Sequence, residues 1–322
     1  MAGHHIDSHT VGAVQQHFNV GAAQTLRFSL PPLAEQDGVL QTLGALDDKI
    51  ELNRRMNETL EAMAQAIFKD WFVDFGPVRA KQEGRAPYLA PDIWSLFPDR
   101  LDDEGKPEGW HKSRVEEIAD RIAMGPFGSN IKVSTFVDSG IPIISGQHLH
   151  GTLLEGDSFN FVTPEHADQL ANSNVRRGDI VFTHAGNIGQ VSIIPEWSRY
   201  ERYVLSQRQF YLRCDRKRMS PNFMIYFFRL PEGQHKLLAN ASSTGVPSIS
   251  RPATNLKAIE FCLPTKEAID TFDSVVSLLH QKIGGNREET DTLVTLRDLL
   301  LPKLMSGEIR VKDAETLVGQ AA

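Results

Sequence analysis

The sequence lacks the features that define several common protein classes. It has only two cysteines, Cys214 and Cys262, and neither belongs to a Cys-X-X-Cys pair, which excludes a zinc ribbon and a thioredoxin-like redox motif. No stretch approaches the roughly 18 consecutive apolar residues of a membrane-spanning helix. The first ten residues contain no basic region followed by an apolar core, so we expect no signal peptide. These absences predict a cytoplasmic protein with two reduced thiols and no contact with a membrane.

Motifs that carry common catalytic chemistry are also missing. The sequence has no GXXXXGK[ST] phosphate-binding loop, no GXGXXG and no HEXXH. Pro98-Asp99 and Glu104-Gly105-Lys106 have some similarity to a metal-nuclease motif, but only four residues separate the two carboxylates, in a proline-rich segment without strand character. His184 lies in a glycine-rich turn with no partnered nucleophile nearby. The sequence therefore predicts no catalytic residue, no metal site and no bound cofactor.

The charge of the 322-residue chain is unevenly distributed. The formal net charge is −7, which by itself argues against nucleic acid as a partner. Residues 111–262, however, contain 17 Lys and Arg against 14 Asp and Glu, so they are mildly basic, and the remaining segments are strongly acidic. The length allows two or three domains, and the basic centre is the candidate for binding a polyanion.

The chain matches itself without a gap when it is shifted by 233 residues. Leu30-Pro31 falls on Leu263-Pro264, and Asn53-Arg54 falls on Asn286-Arg287. This spacing is too long for a solenoid, and residues 1–30 repeat the end of the central segment rather than its beginning. We therefore expect one complete two-part module and a fraction of a second. The predicted segments are a tail of a preceding unit (1–30), a long helix (31–75), a linker (76–110), a recognition domain (111–262), a second long helix (263–310) and a C-terminal tail (311–322).

The repeated segments are predicted to be helices. No proline occurs between Pro32 and Pro77 or between Pro264 and Pro302, and apolar residues recur at alternating spacings of three and four, which is typical of a coiled coil. The predicted seam residues are Leu43, Leu46, Ile50, Asn53, Leu60, Ile67, Leu279, Ile283, Asn286, Leu293 and Leu300. The two asparagines occupy equivalent places, where a buried Asn fixes register; a solvated Asn at a loosened point, beside Gly284-Gly285, is the alternative. The helices can pair within one chain or between two chains.

The central segment has short β-like runs separated by Gly and Pro, with helices predicted at 221–230 and 232–239. The fold class is thus α+β: a mixed β/α domain flanked by two long helices that form an antiparallel coiled coil. Its strongest local signal runs from Arg199 to Arg218, where seven basic residues alternate with aromatic ones. Such residues neutralise phosphates and read base edges, and Gln207-Arg208-Gln209 places three potential readers together. A hairpin whose aromatic residues alternate into the core is the other interpretation.

Taken together, these motifs give the chain a resemblance to the specificity (S) subunits of type I restriction–modification systems. The segments that carry it are Leu30–Gln36, Asp47–Arg54, Leu304–Ile309 and Arg177–Thr183 followed by Gly186–Gly189. The resemblance covers nearly the whole chain. It implies a non-catalytic subunit that reads half of a bipartite site on double-stranded DNA and docks modification (M) subunits through its helices. Methylation with S-adenosylmethionine and ATP-driven cleavage would then belong to the M and restriction (R) subunits.

The chain departs from that family pattern because it holds only one complete recognition domain. Two copies could pair around a two-fold axis and read a palindromic gapped site, the chain could work with another truncated S polypeptide, or it could be an inactive fragment. The predicted DNA-binding residues are Lys132, Gln147, His184, Asn187, Gln207, Arg208, Ser250, Arg251 and Asn255. A coiled-coil scaffold whose central domain binds a protein or a glycan is the alternative function, and the salt dependence of DNA binding separates the two.

Overall fold

The computed structural model describes residue 24 and residues 31–128, 130–156, 158–242 and 245–321. The predicted tail of a preceding unit, residues 1–30, lies outside this part of the chain except for one residue. The described chain forms two units: a helical unit made of the residues up to Met56 and from Gly285 onward, and a mixed unit made of Asn57–Gly284. Both long helices contribute residues to each unit.

Two helices of about forty residues confirm the predicted fold class. Helix α1 spans Leu33–Phe72, and a second helix spans Lys266–Ser306. The second helix continues through Pro302, which lies in its last two turns. Proline has no N–H to donate to the carbonyl four residues earlier, so one backbone hydrogen bond is missing there, and the helix ends four residues later at Ser306.

The helical unit is held together by an antiparallel seam. Leu46 and Leu293 are almost fully buried, in a cluster that also contains Val39, Leu300 and Leu304. The direction of pairing follows from polar contacts, since Asp47 accepts a 2.9 Å hydrogen bond from Arg297, whereas Asn53 donates a 2.8 Å bond to Glu289, nearer the start of the second helix. The pairing is therefore intramolecular in this unit. The segment predicted as a C-terminal tail contains a further helix, Val311–Ala321, whose Ala314 is buried in the same cluster.

The two asparagines predicted to share a position in the seam meet in the structure. Asn53 and Asn286 are each about 1% exposed. The Asn53 side-chain amide lies 3.5 Å from the Asn286 carbonyl oxygen and 3.5 Å from the Thr290 hydroxyl, and it donates to Glu289. Burial with polar partners favours the register-setting interpretation over that of a solvated asparagine, because a shifted register would leave these groups unpaired.

The mixed unit contains twelve named strands among its described residues. They are β1 (His111–Arg114), β2 (Ala119–Met124), β3 (Ile141–Ile144), β4 (Phe161–Val162), β5 (Asn174–Arg176), β6 (Ile180–Thr183), β7 (Val191–Ile193), β8 (Arg202–Leu205), β9 (Gln209–Cys214), β10 (Ala241–Ser242), β11 (Ser248–Ile249) and β12 (Glu260–Leu263). One four-stranded sheet has the order β2-β9-β6-β7 and is antiparallel. A second has the order β4-β3-β8-β5, with β3 and β8 parallel.

Short helices complete the mixed unit. They are α2 (Gly76–Gln82), α3 (Pro91–Trp94), α4 (Val115–Ile118), α5 (Pro164–Gln169), α6 (Pro221–Arg229), α7 (Pro231–Leu238) and α8 (Pro252–Ala258), so that the long second helix is α9 and Val311–Ala321 is α10. Pro stands at the first helical position of most of them, where its missing N–H costs nothing. The segment predicted as a linker thus contains α2 and α3. Phe97, which follows α3, is packed edge-on against Trp71 at 5.3 Å.

An aromatic core joins the sheets to the long helices within the mixed unit. Phe68 of α1 contacts Phe223 of α6 and Phe272 of α9, with ring centroids 5.0 and 5.5 Å apart. Trp197 lies on Gly284 of α9, where any Cβ would come within 2.8 Å of the indole ring, and its N–H donates to the His280 carbonyl at 3.1 Å. The domain is therefore packed directly against both long helices in this unit.

Candidate nucleic-acid interface

Strand ends and loops gather at one edge of the two sheets. Strand β2 ends opposite the start of β9, β6 ends opposite Gln209, and β3 and β8 end side by side because they are parallel. The loops that follow these strands therefore meet. We call this region the loop edge, and it consists of residues 125–132 (with 129 outside the described part), 145–148, 184–190, 206–208 and 245–251.

Backbone hydrogen bonds hold these loops together. The His184 N–H donates to the Arg208 carbonyl at 2.9 Å, and the His184 carbonyl accepts from Ile249 at 2.8 Å. Gly186 N–H donates to Pro247 at 2.9 Å, and Ser206 N–H donates to Ile144 at 2.8 Å. The loops thus form one connected surface, on which side chains keep fixed relative positions.

The structure places eight of the nine predicted DNA-binding residues in the loop edge and the ninth beside it. Lys132, Gln147, Asn187 and Arg208 are exposed. Asn255 lies on α8 and its amide donates to the Ser250 carbonyl, so it supports the loop. Contact with DNA by any of the nine stays a prediction.

Two of the predicted residues already have partners within the chain. Gln207 donates from its amide to the carbonyl oxygens of Gly128 and, at 3.4 Å, Ile131. His184 Nε2 lies 3.2 Å from the Gln207 carbonyl, and burial lowers the pKa of His184. His184 is therefore neutral at pH 7, and it serves as a hydrogen-bonding group rather than a cation facing phosphate.

The basic stretch from Arg199 to Arg218 is mainly structural. Arg213 binds the buried Asp179 with both Nε and Nη2, at 2.8 and 2.6 Å, and Arg202 binds Asp168 at 2.7 Å. Arg216 pairs with Glu196, and Arg218 with Asp215. The core burial that the alternative interpretation predicted is found for three of the interleaved aromatic residues, Tyr203, Phe210 and Tyr211. The predicted hairpin is not formed, because β8 and β9 lie in different sheets.

Gln209 was wrongly grouped with the potential base readers. It is about 1% exposed, and its amide lies 3.4 Å from the Thr183 hydroxyl and beside the Ser206 hydroxyl. Gln209 directly follows Gln207 and Arg208, and its side chain accepts a hydrogen bond from the Ser206 hydroxyl, so it stabilises their connection from its buried side. Arg208 is the basic residue of this stretch that lies in the loop edge. In the described part of the chain, its guanidinium has no carboxylate partner.

Three cations and two exposed apolar side chains lie within the loop edge itself. Lys132, Arg208 and Arg251 are exposed and have no acidic partner among the described residues. Arg251 adopts a left-handed conformation, φ 43°, at the start of α8. Phe127 and Val246 are 71% and 64% exposed, and neither residue was among the predicted DNA-binding residues. The arrangement suits a polyanion that also offers apolar surface.

Other kinds of site receive no support within the described ranges. No group of three or more His, Cys, Asp and Glu side chains is placed there to hold a metal ion. The acidic residues of the nuclease-like segment have cationic neighbours instead, since Asp99 pairs with Lys81 at 3.2 Å and Glu104 with Lys106 at 3.3 Å. None of the helices described is long and apolar enough to cross a membrane.

Comparison with known proteins agrees with this architecture. The specificity subunit of the type I restriction enzyme HindI from Haemophilus influenzae is 26% identical over 331 residues, which cover 89% of this chain and 70% of that protein. The MjaIX specificity subunit from Methanocaldococcus jannaschii is 25% identical over 296 residues, covering 88% and 60%. Over most of its length, the chain is therefore similar to specificity subunits of type I restriction–modification systems. No family model matches it.

A solved structure shows the same fold. The S subunit of a type I restriction–modification system from M. genitalium superposes with a TM-score of 0.52 at 15% identity, over 94% of this chain and 69% of that one. This chain therefore spans between 60% and 70% of the length of these specificity subunits. The loop edge belongs to the central domain, the part of the sequence in which target recognition was predicted.

Proposed function

We propose that this chain is the DNA-recognition subunit of a type I restriction–modification complex, that it catalyses nothing itself and that it acts in the cytoplasm. The observation that carries the proposal is the loop edge, where three unpaired cations lie on loops fixed by shared backbone hydrogen bonds. Cations hold phosphates and so set the register on a duplex, while polar loop side chains read base edges. The similarity to type I specificity subunits supports the same conclusion.

The proposal assigns different roles to the loop-edge residues. Arg208 stands on the three-residue connection between β8 and β9, beside Gly186, and is the best-placed group to reach a guanine edge. Lys132 and Arg251 lie on other loops and are assigned to phosphates. Asn187, exposed in the turn between β6 and β7, is assigned to an adenine or a phosphate. Gln207, His184 and Asn255 hold the loops.

We further infer that the helices dock the methyltransferase. Several large apolar side chains of the helical unit are exposed, and a partner subunit could cover them: Leu33, Leu40, Leu52, Leu299, Leu301, Met305 and Leu317. A single complete recognition domain reads one half-site, so a bipartite site requires a second domain. A second copy of this chain, paired by a two-fold axis, would supply it and make the site palindromic. S-adenosylmethionine and ATP would then be bound by partner subunits.

The test is sequence-selective binding to duplex DNA at several salt concentrations. The wild-type chain should select a defined sequence from a randomised duplex pool, and its affinity should fall steeply as salt rises. Arg208→Ala should weaken binding to the selected duplex by about 5- to 150-fold if Arg208 reads a base, and discrimination should relax at one position only. If Arg208 binds phosphate, all sequences should be weakened alike and the salt slope should fall by about one.

The matched control is Arg216→Ala, which removes an exposed arginine that pairs with Glu196 outside the loop edge. It should leave both affinity and selectivity unchanged. If the wild-type chain selects no sequence and its DNA binding does not depend on salt, the function is not DNA recognition. A scaffold that binds a protein or a glycan would then be the better account.

A further inference from the structure

The loop edge presents an aromatic ring that no packing within the protein explains. Phe127 is 71% exposed, although this chain buries most of its other phenylalanines in its cores. A phenyl ring is one of the most favourable groups to remove from water, so a ring kept in solvent forgoes that gain. Phe127 stands at the tip of the segment Gly125–Gly128, directly after β2.

The near side of this loop is fixed against the turn that carries Arg208. The Gly125 N–H donates to the Gln209 carbonyl at 2.8 Å. A Cβ at Gly125 would overlap the Ser206 carbonyl oxygen, so only glycine allows so close an approach. Pro126, the next residue, is buried. The residues immediately before Phe127 are therefore held in place, and Phe127 itself is exposed.

The far side of the loop is fixed as well. The Gln207 amide donates to the Gly128 and Ile131 carbonyls, and the His166 ring lies 2.7 Å from the Asn130 carbonyl. Gly128 has φ +63°, a conformation that favours glycine. Gln207 directly precedes Arg208, so the ring and the guanidinium are carried by segments that touch.

The side chains near the Phe127 ring are cationic, which favours a negatively charged partner. Lys132 and Arg208 have no acidic partner in the described ranges, and both lie on the segments that hold the Phe127 loop. A partner that satisfies these cations and also buries a phenyl ring must combine negative charge with flat apolar faces. Stacked base pairs flanked by phosphates have that combination.

We propose that Phe127 is a wedge that inserts between two base pairs of duplex DNA beside the bases read at the loop edge. This inference rests on the proposed DNA recognition. An inserted apolar side chain unstacks a step and kinks the duplex, and a rigidly presented ring loses little conformational freedom on insertion. Phe127 has no side-chain donor or acceptor, so its selectivity comes from the deformability of the step, which favours flexible pyrimidine–purine steps.

The experiment compares Phe127→Ala and Phe127→Leu with the wild-type full-length chain on the duplex that the wild type selects from a randomised pool. Phe127→Ala should weaken binding to that duplex by about 10- to 100-fold and leave binding to random duplex within about twofold. Phe127→Leu keeps an apolar wedge and should retain most of the affinity. Leu278→Ala is the matched control, since Leu278 is 66% exposed on α9, and it should change neither affinity.

A second readout reports unstacking directly. With 2-aminopurine at each position of the selected duplex in turn, wild-type chain should raise the fluorescence at one step, and Phe127→Ala should abolish that rise. Affinity of Phe127→Ala within about twofold of wild type on the selected duplex would overturn the proposal, and so would the absence of any wild-type fluorescence change. Loss of methyltransferase binding with unchanged DNA binding would also overturn it. If the wild type selects no sequence, DNA recognition itself fails, together with this inference.

Discussion

At the scale of single residues, burial decides which charges are available for function. Asp179 follows Gly178 in one of the segments on which the sequence resemblance was based, yet it is about 1% exposed and binds Arg213 through two hydrogen bonds. Its carboxylate holds the pKa of Arg213 above the ordinary value. The motif therefore closes a buried ion pair. Arg213 is held in this buried pair and is therefore not available to bind phosphate.

His148 gives a pH dependence at the same scale. It is about 2% exposed and stacks on Phe159 with centroids 4.3 Å apart, its Nδ1 accepts from Ser145 N–H at 3.0 Å, and its Nε2–H donates to Ser158 at 3.1 Å. Burial lowers the pKa of His148 in the folded state. The unfolded chain therefore binds this proton more readily, so the stabilising contribution is present above about pH 6.5 and is lost as the pH falls below it.

The measurement is the free energy of unfolding by urea at pH 7.5 and at pH 5.5. Wild type should lose more stability between these two values than His148→Asn, which cannot titrate but keeps an acceptor for Ser145. Equal losses in the two proteins would show that His148 contributes nothing to the pH dependence.

At the scale of elements, the pattern of the sequence predicted the long helices well, but it did not show which side chains of the central domain would be buried, paired or exposed. Freedom from proline and a stripe of spacing three and four suffice for α1 and α9, because helix periodicity is local. The pairing of Arg202 with Asp168, or of Arg213 with Asp179, joins residues 34 apart in each case and depends on which strands become neighbours. For the same reason the sequence could not show that Gln209 is buried, or that Phe127 is exposed beside Arg208.

Two adjacent glycines of α9 provide the test of how the domain packs on this helix. A Cβ at Gly284 would lie 2.8 Å from the indole of Trp197, whereas nothing lies within 4 Å of a Cβ at Gly285. Gly285→Ala should therefore raise stability by about 0.5–1 kcal/mol, since alanine is the better helix former. Gly284→Ala should instead lower it, because the ring must shift. Thermal unfolding of the two variants measures the difference, and stabilisation by both would contradict the Trp197 contact.

At the scale of the whole molecule, the charge distribution and the fold both support separate roles for the central domain and the long helices. The acidic excess lies outside residues 111–262, and the three unpaired cations of the loop edge lie within them. The two long helices that the internal repeat predicted pair with each other in an antiparallel seam within one chain, and Asn53 contacts Asn286 there. The proposed account is a subunit that contributes recognition through loops and assembly through helices, and leaves chemistry to its partners.

The most direct test of that account is a long-read map of methylated adenines in a methylation-free host that expresses this chain with the methyltransferase of its own system. The account predicts new methylation within one gapped motif. A palindromic motif would indicate two copies of this chain, and a non-palindromic motif would indicate a second, different recognition domain. Substitution of Phe127 or Arg208 by alanine should reduce or relax that methylation. No new methylation, with both proteins folded and expressed, would contradict the central claim that this chain directs a methyltransferase to a DNA sequence.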